Sequence, residues 1–154
     1  MTRLSQIKGQ RVLTVDDAQQ VGGVRRLILD AELGAVAAAH IEGTVGETTM
    51  LPWEKVKSIG PDALMVESVR QLEEPDRGLR DRIEAGHYDL EGKIVYTDQG
   101  DSLGTLEDIE FDERSGRVLR LHVPGHALPL QRFVAVGPYA VIVTGPGSAP
   151  LPAP

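Results

Sequence analysis

The chain has 154 residues, enough for one ordinary domain or two very small ones, and 41% apolar residues can supply a hydrophobic core. Its 16 Lys and Arg against 23 Asp and Glu leave a net charge of −7, which argues against direct nucleic-acid binding because that binding depends on neutralising phosphates. The absence of cysteine excludes disulfides, thiolate nucleophiles and cysteine metal ligands.

An internal repeat organises the chain: residues 7–68 (copy one) correspond to residues 90–145 (copy two). Glycine and proline recur where turns restrict the backbone, and the apolar alternation between them recurs too. We therefore expect both copies to adopt the same fold. The identical pairs are Gly9/Gly92, Val12/Val95, Thr14/Thr97, Gly22/Gly104, Asp30/Asp112, Gly34/Gly116, Val36/Val118, His40/His122, Gly43/Gly125, Pro52/Pro129, Gly60/Gly137, Pro61/Pro138, Ala63/Ala140 and Val66/Val143.

Short strands broken by turns are predicted for copy one. They span residues 11–14, 24–30, 36–41, 57–59 and 63–67, with a turn-like segment at 52–56. Because successive side chains of a strand point to opposite faces, the alternation predicts which side chains enter the core. The inward set is Leu27, Leu29, Ala37, Ala39 and Ile41, and the outward set is Ile28, Val36, Ala38 and His40.

A short helix is predicted in the linker, residues 69–88. Glu74-Pro75-Asp76 is typical of a helix start, and Gly86 can cap the other end. Leu79 and Ile83 are four residues apart and therefore lie on one face. We expect this helix to pack across a barrel.

Copy two repeats the strand pattern at residues 93–97, 106–112, 118–123, 134–136 and 140–144. The inward residues are predicted to be Ile109, Phe111, Leu119, Leu121 and Val123, and the outward ones Glu110, Val118, Arg120 and His122. The last segment, residues 146–154, is rich in proline and is predicted to be disordered.

Copy two carries a pattern of three parts: the opening Gly92-Lys93-Ile94-Val95, the strand Leu103-Gly104-Thr105-Leu106-Glu107-Asp108 and the run Gly116-Arg117-Val118 through Leu121-His122-Val123. This pattern resembles that of the PRC-barrel domain family. Copy one is similar but has Gln10-Arg11 in the opening, and its Leu51-Pro52-Trp53 also resembles the family.

The resemblance implies an all-β fold of two tandem small β-barrels, each with its own hydrophobic centre, joined by the short helix. The implied boundaries are residues 1–68 and 89–145 for the barrels, with 69–88 as linker and 146–154 as tail. The family occurs in the photosynthetic reaction-centre H subunit and in a ribosome maturation factor. It therefore implies a protein-binding adaptor or scaffold rather than an enzyme, with no cofactor and no catalytic residue.

The outward face of copy one is the predicted interface. Three apolar side chains that the alternation turns outward, together with the aromatic anchor Trp53, form the candidate set: Ile28, Val36, Ala38 and Trp53. The competing and preferred interpretation is that copy two or the linker helix covers this surface within the chain. A partner protein or a homodimer would otherwise cover it.

The second hypothesis is a small-ligand or metal-binding sensor at the barrel junction. The repeat-equivalent His40 and His122 could meet near a pseudo-twofold axis and bind a metal, although two surface imidazoles retained from the duplication are favoured. A third hypothesis is a ribosome-associated factor that acts through protein contacts. No secretion signal and no membrane-spanning run is found in the sequence, so a cytoplasmic location is expected.

Overall fold

The computed structural model describes residues 1–129 and 133–145. The predicted disordered tail at 146–154 lies outside the described residues. The all-β fold class is confirmed: the chain forms two tandem copies of one curled arrangement of strands with a short helix between them.

Copy one forms a six-stranded sheet in the order β5-β4-β3-β2-β7-β6, from the strands β2 (Arg11–Thr14), β3 (Gln20–Asp30), β4 (Ala35–Glu42), β5 (Met50–Pro52), β6 (Val56–Ile59) and β7 (Ala63–Val66). The strands β2 and β7 are parallel and the other pairs are antiparallel. The two edge strands are joined by a single 3₁₀ turn, Trp53–Lys55, so the sheet must curl until its edges approach one another. Two elements precede this sheet in the chain, the strand β1 (Thr2–Arg3) and the short helix α1 (Leu4–Ile7).

Copy two repeats this strand order, but its counterpart of β3 is divided into β9 and β10. The result is two four-stranded sheets, β13-β14-β8-β9 and β1-β10-β11-β12. The parallel pairing of β14 with β8 reproduces the register of β7 with β2. The strands are β8 (Ile94–Thr97), β9 (Ser102–Thr105), β10 (Asp108–Phe111), β11 (Val118–Val123), β12 (His126–Pro129), β13 (Phe133–Val136) and β14 (Ala140–Val143).

The linker contains a 3₁₀ turn, Val69–Gln71, and the helix α2, Arg77–Glu84. Asp76 is the N-cap, and its carboxylate accepts a 2.7 Å hydrogen bond from the amide of Leu79. The other end is closed by Gly86 at φ 86°, with the amide of His87 donating to the carbonyl of Arg82 at 3.0 Å. The predicted helix and both of its ends are therefore confirmed.

A β-bulge in each copy corrects the predicted faces of β4 and β11. Ile28 pairs with Ala38 and Leu29 pairs with Val36, which leaves Ala37 as the extra residue; Leu119 is the extra residue at the equivalent point of β11. The bulge reverses the alternation beyond it. Val36 and Val118, predicted outward, are therefore buried, whereas Ala37, predicted inward, is exposed.

The copies exchange their N-terminal segments. The strand β1, which precedes copy one, pairs with β10 of copy two, and the backbone amide of Ser5 donates to Asp108 at 3.1 Å. Reciprocally, Asp89, which precedes copy two, lies 3.5 Å from Arg26 on β3 of copy one. Arg26 and Asp108 are equivalent positions of the repeat, so each copy receives a contact there from the segment that precedes the other copy; among the described residues, only the segment before copy one adds a strand.

Equivalent residues meet each other along a pseudo-twofold axis. Ala35 forms an antiparallel bridge with its counterpart Arg117. The Val36 amide donates to the Gly116 carbonyl at 2.7 Å, and the Val118 amide donates to the Gly34 carbonyl at 2.9 Å. Near the exchanged segments, Lys8 forms a 3.2 Å ion pair with its own counterpart, Glu91.

Among the described residues, the main hydrophobic core spans both copies, which corrects the expectation that each copy has its own centre. Leu4 and Ile7 of the exchanged segment lie in the same cluster as Leu27 of copy one and Ile109 of copy two. Because the segments cross over, each copy completes the core of the other.

Candidate binding surfaces

The four predicted interface residues are all buried within the chain. Ile28 and Ala38 do point away from the main core, but α2 covers them: they form a second cluster with Leu79 and Tyr88. Both residues are therefore buried under a helix of the same chain and do not form a free surface.

Copy two covers the other two. Val36 enters the main core after the bulge and donates its amide to Gly116. The Trp53 indole Nε1 donates a 2.9 Å hydrogen bond to the carbonyl of Glu113, and its ring packs edge-on against Phe111 with centroids 5.4 Å apart. Trp53 is thus an anchor between the copies.

His40 and His122 lie in different environments. His40 faces Arg26 across β3 and β4, and burial, followed by the positive charges of Arg26 and Arg25, lowers its pKa. The His122 Nε2 atom lies 3.8 Å from Glu110. Within residues 1–129 and 133–145, no group of three or more His, Asp or Glu side chains is arranged to hold a metal.

A different exposed surface is found on copy two, on the side of β13, β14 and β8 that faces away from the core. We call it the outer face of copy two. Tyr139 is 92% exposed, Val134 50% and Ile94 38%. The cross-strand register places Ala140 beside Ile94 and Ile142 beside Tyr96, and Ala135 lies next to Ile142. The residues of this face are Ile94, Tyr96, Val134, Ala135, Tyr139, Ala140 and Ile142.

The repeat supplies an internal comparison for this face. The same backbone positions in copy one have matching register but different chemistry. There, Lys57 forms a 2.7 Å ion pair with Glu67. The replacements, from copy one to copy two, are Arg11 to Ile94, Lys57 to Val134, Ser58 to Ala135 and Asp62 to Tyr139. The difference can be found from the sequence by aligning the two copies position by position at these strands.

Acidic residues border the outer face of copy two. Asp98 and Asp101 are exposed in the turn between β8 and β9, at the end of the strand that carries Tyr96. The Asp98 carboxylate also accepts a 3.0 Å hydrogen bond from the amide of Gly145, which holds this turn against the end of β14. An apolar centre with an acidic border results.

A second feature is an open cleft of about 420 Å³ on copy one, beside α2. Its walls come from β3, β4, the helix and Val136 of copy two. Most of its described lining residues are apolar, and the polar ones among them are Asp30, Arg82 and Tyr88.

Among the described residues, no helix is both long and apolar enough to cross a membrane. A search of curated proteins finds no match to the chain. A family model does match, over two segments that correspond to the two copies together with their exchanged N-terminal segments. That model, the PRC-barrel domain, covers residues 1–73 and 83–149, and the chain belongs to this family.

Proposed function

We propose that the protein is a non-catalytic, protein-binding adaptor of the cytoplasm, and that the outer face of copy two is its contact surface. The observation that carries the proposal is the difference between the copies. The equivalent positions of copy one carry Arg11, Lys57 and Asp62, so the fold itself does not require apolar residues there.

The exposure of the face supports a binding role. The side chains of Tyr139, Val134 and Ile94, exposed by 92%, 50% and 38%, leave apolar area in water, and contact with a partner would remove it. Tyrosine is also enriched among the residues that dominate binding energy. The partner's complementary surface is an apolar patch bordered by basic side chains, because Asp98 and Asp101 border the face.

The test exchanges the two faces. The variant Ile94→Arg/Val134→Lys/Tyr139→Asp gives copy two the residues that copy one has at the same positions. We expect this variant to fold as stably as the natural chain. It should lose the partner recovered by affinity purification with quantitative mass spectrometry, or, if the partner is a second copy, lose the dimer seen by sedimentation.

The matched control is Leu13→Ala/Met65→Ala, on the same face of copy one, which should keep the partner. Weaker binding at high salt is expected from the acidic border. Identical partners and identical mass for the natural chain and the exchanged variant would refute this assignment of the contact surface.

A further inference from the structure

The described residues that line the cleft beside α2 combine apolar side chains with one cation, Arg82. Ile28, Ala37, Ala38, Met50 and Leu79 line it from copy one and the helix, and Val136 closes it from copy two. A volume of about 420 Å³ lies within the range of small-molecule sites.

Arg82 is positioned at the wall of this cleft. Its Nε donates a 3.0 Å hydrogen bond to the hydroxyl of Tyr88, whose ring is buried against the helix. This hydrogen bond raises the pKa of Arg82. Within the described part of the chain, Arg82 forms no ion pair, so the two terminal nitrogens of the guanidinium can receive an anionic group.

The carboxylate in the same cleft is already engaged. One Asp30 oxygen accepts a 3.1 Å hydrogen bond from the amide of Leu33, which ties it to the turn before β4. Asp30 therefore contributes to the turn, and Arg82 is the only cationic residue among the described residues that line the cleft.

The described residues of copy two carry charges at the equivalent positions of this face. The counterparts of Ile28 and Ala38 are Glu110 and Arg120, which form a 2.9 Å ion pair with each other. Copy one thus has apolar residues and a covering helix where copy two has a self-satisfied charge pair.

We propose that this cleft binds an amphiphile with a medium-length alkyl chain and one anionic head group, a carboxylate or a phosphate. The alkyl chain lies along Ala37, Met50 and Val136, the more exposed apolar side chains of the cleft. The head group pairs with the guanidinium of Arg82 and accepts a hydrogen bond from the hydroxyl of Tyr88. The hydroxyl can donate because Arg82 Nε donates to its oxygen and leaves its hydrogen available.

The test is calorimetric titration of the full chain with octanoate and with octyl phosphate, which distinguishes the two head groups. Octanol has the same chain without the charge, and acetate has the charge without the chain. We expect at least one of the two anions to bind at least about tenfold more tightly than either control.

Two variants keep the proposal falsifiable. Arg82→Gln removes the cation, and Ala37→Leu fills the cleft with the residue that copy two has at the same bulge, Leu119. Each should weaken binding by about tenfold or more, whereas Arg80→Gln, on the same helix but paired with Glu74, should not.

Octanol binding as tightly as the anions, or retained affinity in either folded variant, would overturn the proposal. The face-exchange variant of copy two should bind the amphiphile normally. Failure of the cleft and failure of the adaptor surface are therefore distinguishable.

Discussion

The side chains around His40, on the β3–β4 face of copy one, determine its protonation state. His40 lies opposite Arg26 in the β3–β4 register, and its buried Nδ1 has no hydrogen-bond partner among the described residues. Burial and the two neighbouring arginines oppose its protonation. The neutral imidazole is therefore the form that the folded chain accommodates.

His40 predicts a pH dependence of stability. The unfolded chain binds a proton at residue 40 at a higher pH than the folded chain, because the folded pKa is lowered from 6.5. Stability from this group is fully present above 6.5 and is lost as the pH falls through that value toward the folded pKa. We expect His40→Gln to reduce the loss of urea resistance between about pH 8 and about pH 5.

The control for this prediction is His126→Gln, which removes an exposed imidazole and should retain the full loss. Equal acid sensitivity of His40→Gln and the natural chain would contradict the prediction.

Prediction from sequence fails at the residue scale where a bulge intervenes. Ala37 and Leu119 are ordinary residues for a strand, and nothing in their type signals that two residues of their strand oppose one of the neighbour. The strict alternation therefore assigned Val36 to the wrong face. Upstream of the bulge on β3, where no such insertion interrupts the pairing of Leu27 with Ala39, the assignment is correct.

At the scale of elements, the helix could be predicted because its signals are local. The Asp76 cap and the Gly86 stop act within one turn of the backbone, so the sequence contains them directly. The partner of β1 could not be predicted. A two-residue strand has no periodicity, and its pairing with β10 depends on contacts more than a hundred residues away.

The turns that lead into β4 and β11 predict unequal costs for one substitution. Gly34 and Gly116 both have positive φ, 65° and 76°. A Cβ at Gly34 would meet nothing within 4 Å, whereas a Cβ at Gly116 would lie 2.6 Å from the Val36 carbonyl oxygen. We expect Gly34→Ala to cost about 1 kcal/mol of unfolding free energy through backbone strain alone.

For Gly116→Ala, we expect about 2 kcal/mol more, because the bridge between the copies must also move. Urea unfolding followed by circular dichroism measures both variants. Equal losses would show that the close approach of Val36 and Gly116 carries no energetic weight.

At the scale of the whole molecule, the exchanged segments and the shared core predict that the copies unfold together. Leu64 of copy one is fully buried, and Leu64→Ala should cost roughly 2–5 kcal/mol. Hydrogen exchange should then accelerate equally for the amides of β2 and β7 and for those of β8 and β14. Faster exchange restricted to copy one would show that the copies open independently.

The candidate surfaces illustrate how far sequence reasoning reaches for function. The family and the twofold repeat were visible because glycines and prolines mark the turns of both copies. The burial of Ile28 by the helix and of Trp53 by copy two depends on tertiary packing, which a local sequence pattern does not predict. The outer face of copy two could be predicted from the sequence, because the repeat places the apolar Tyr139 at the position that Asp62 occupies in copy one.

The ion pair of Lys8 with Glu91 has a consequence for self-recognition. In a symmetric dimer built from two molecules of one copy, the position on the axis would face itself, as lysine against lysine or glutamate against glutamate. Holding both halves in one polypeptide frees these positions to acquire opposite signs. The like charges disfavour pairing between two identical copies, and the opposite charges favour pairing of copy one with copy two.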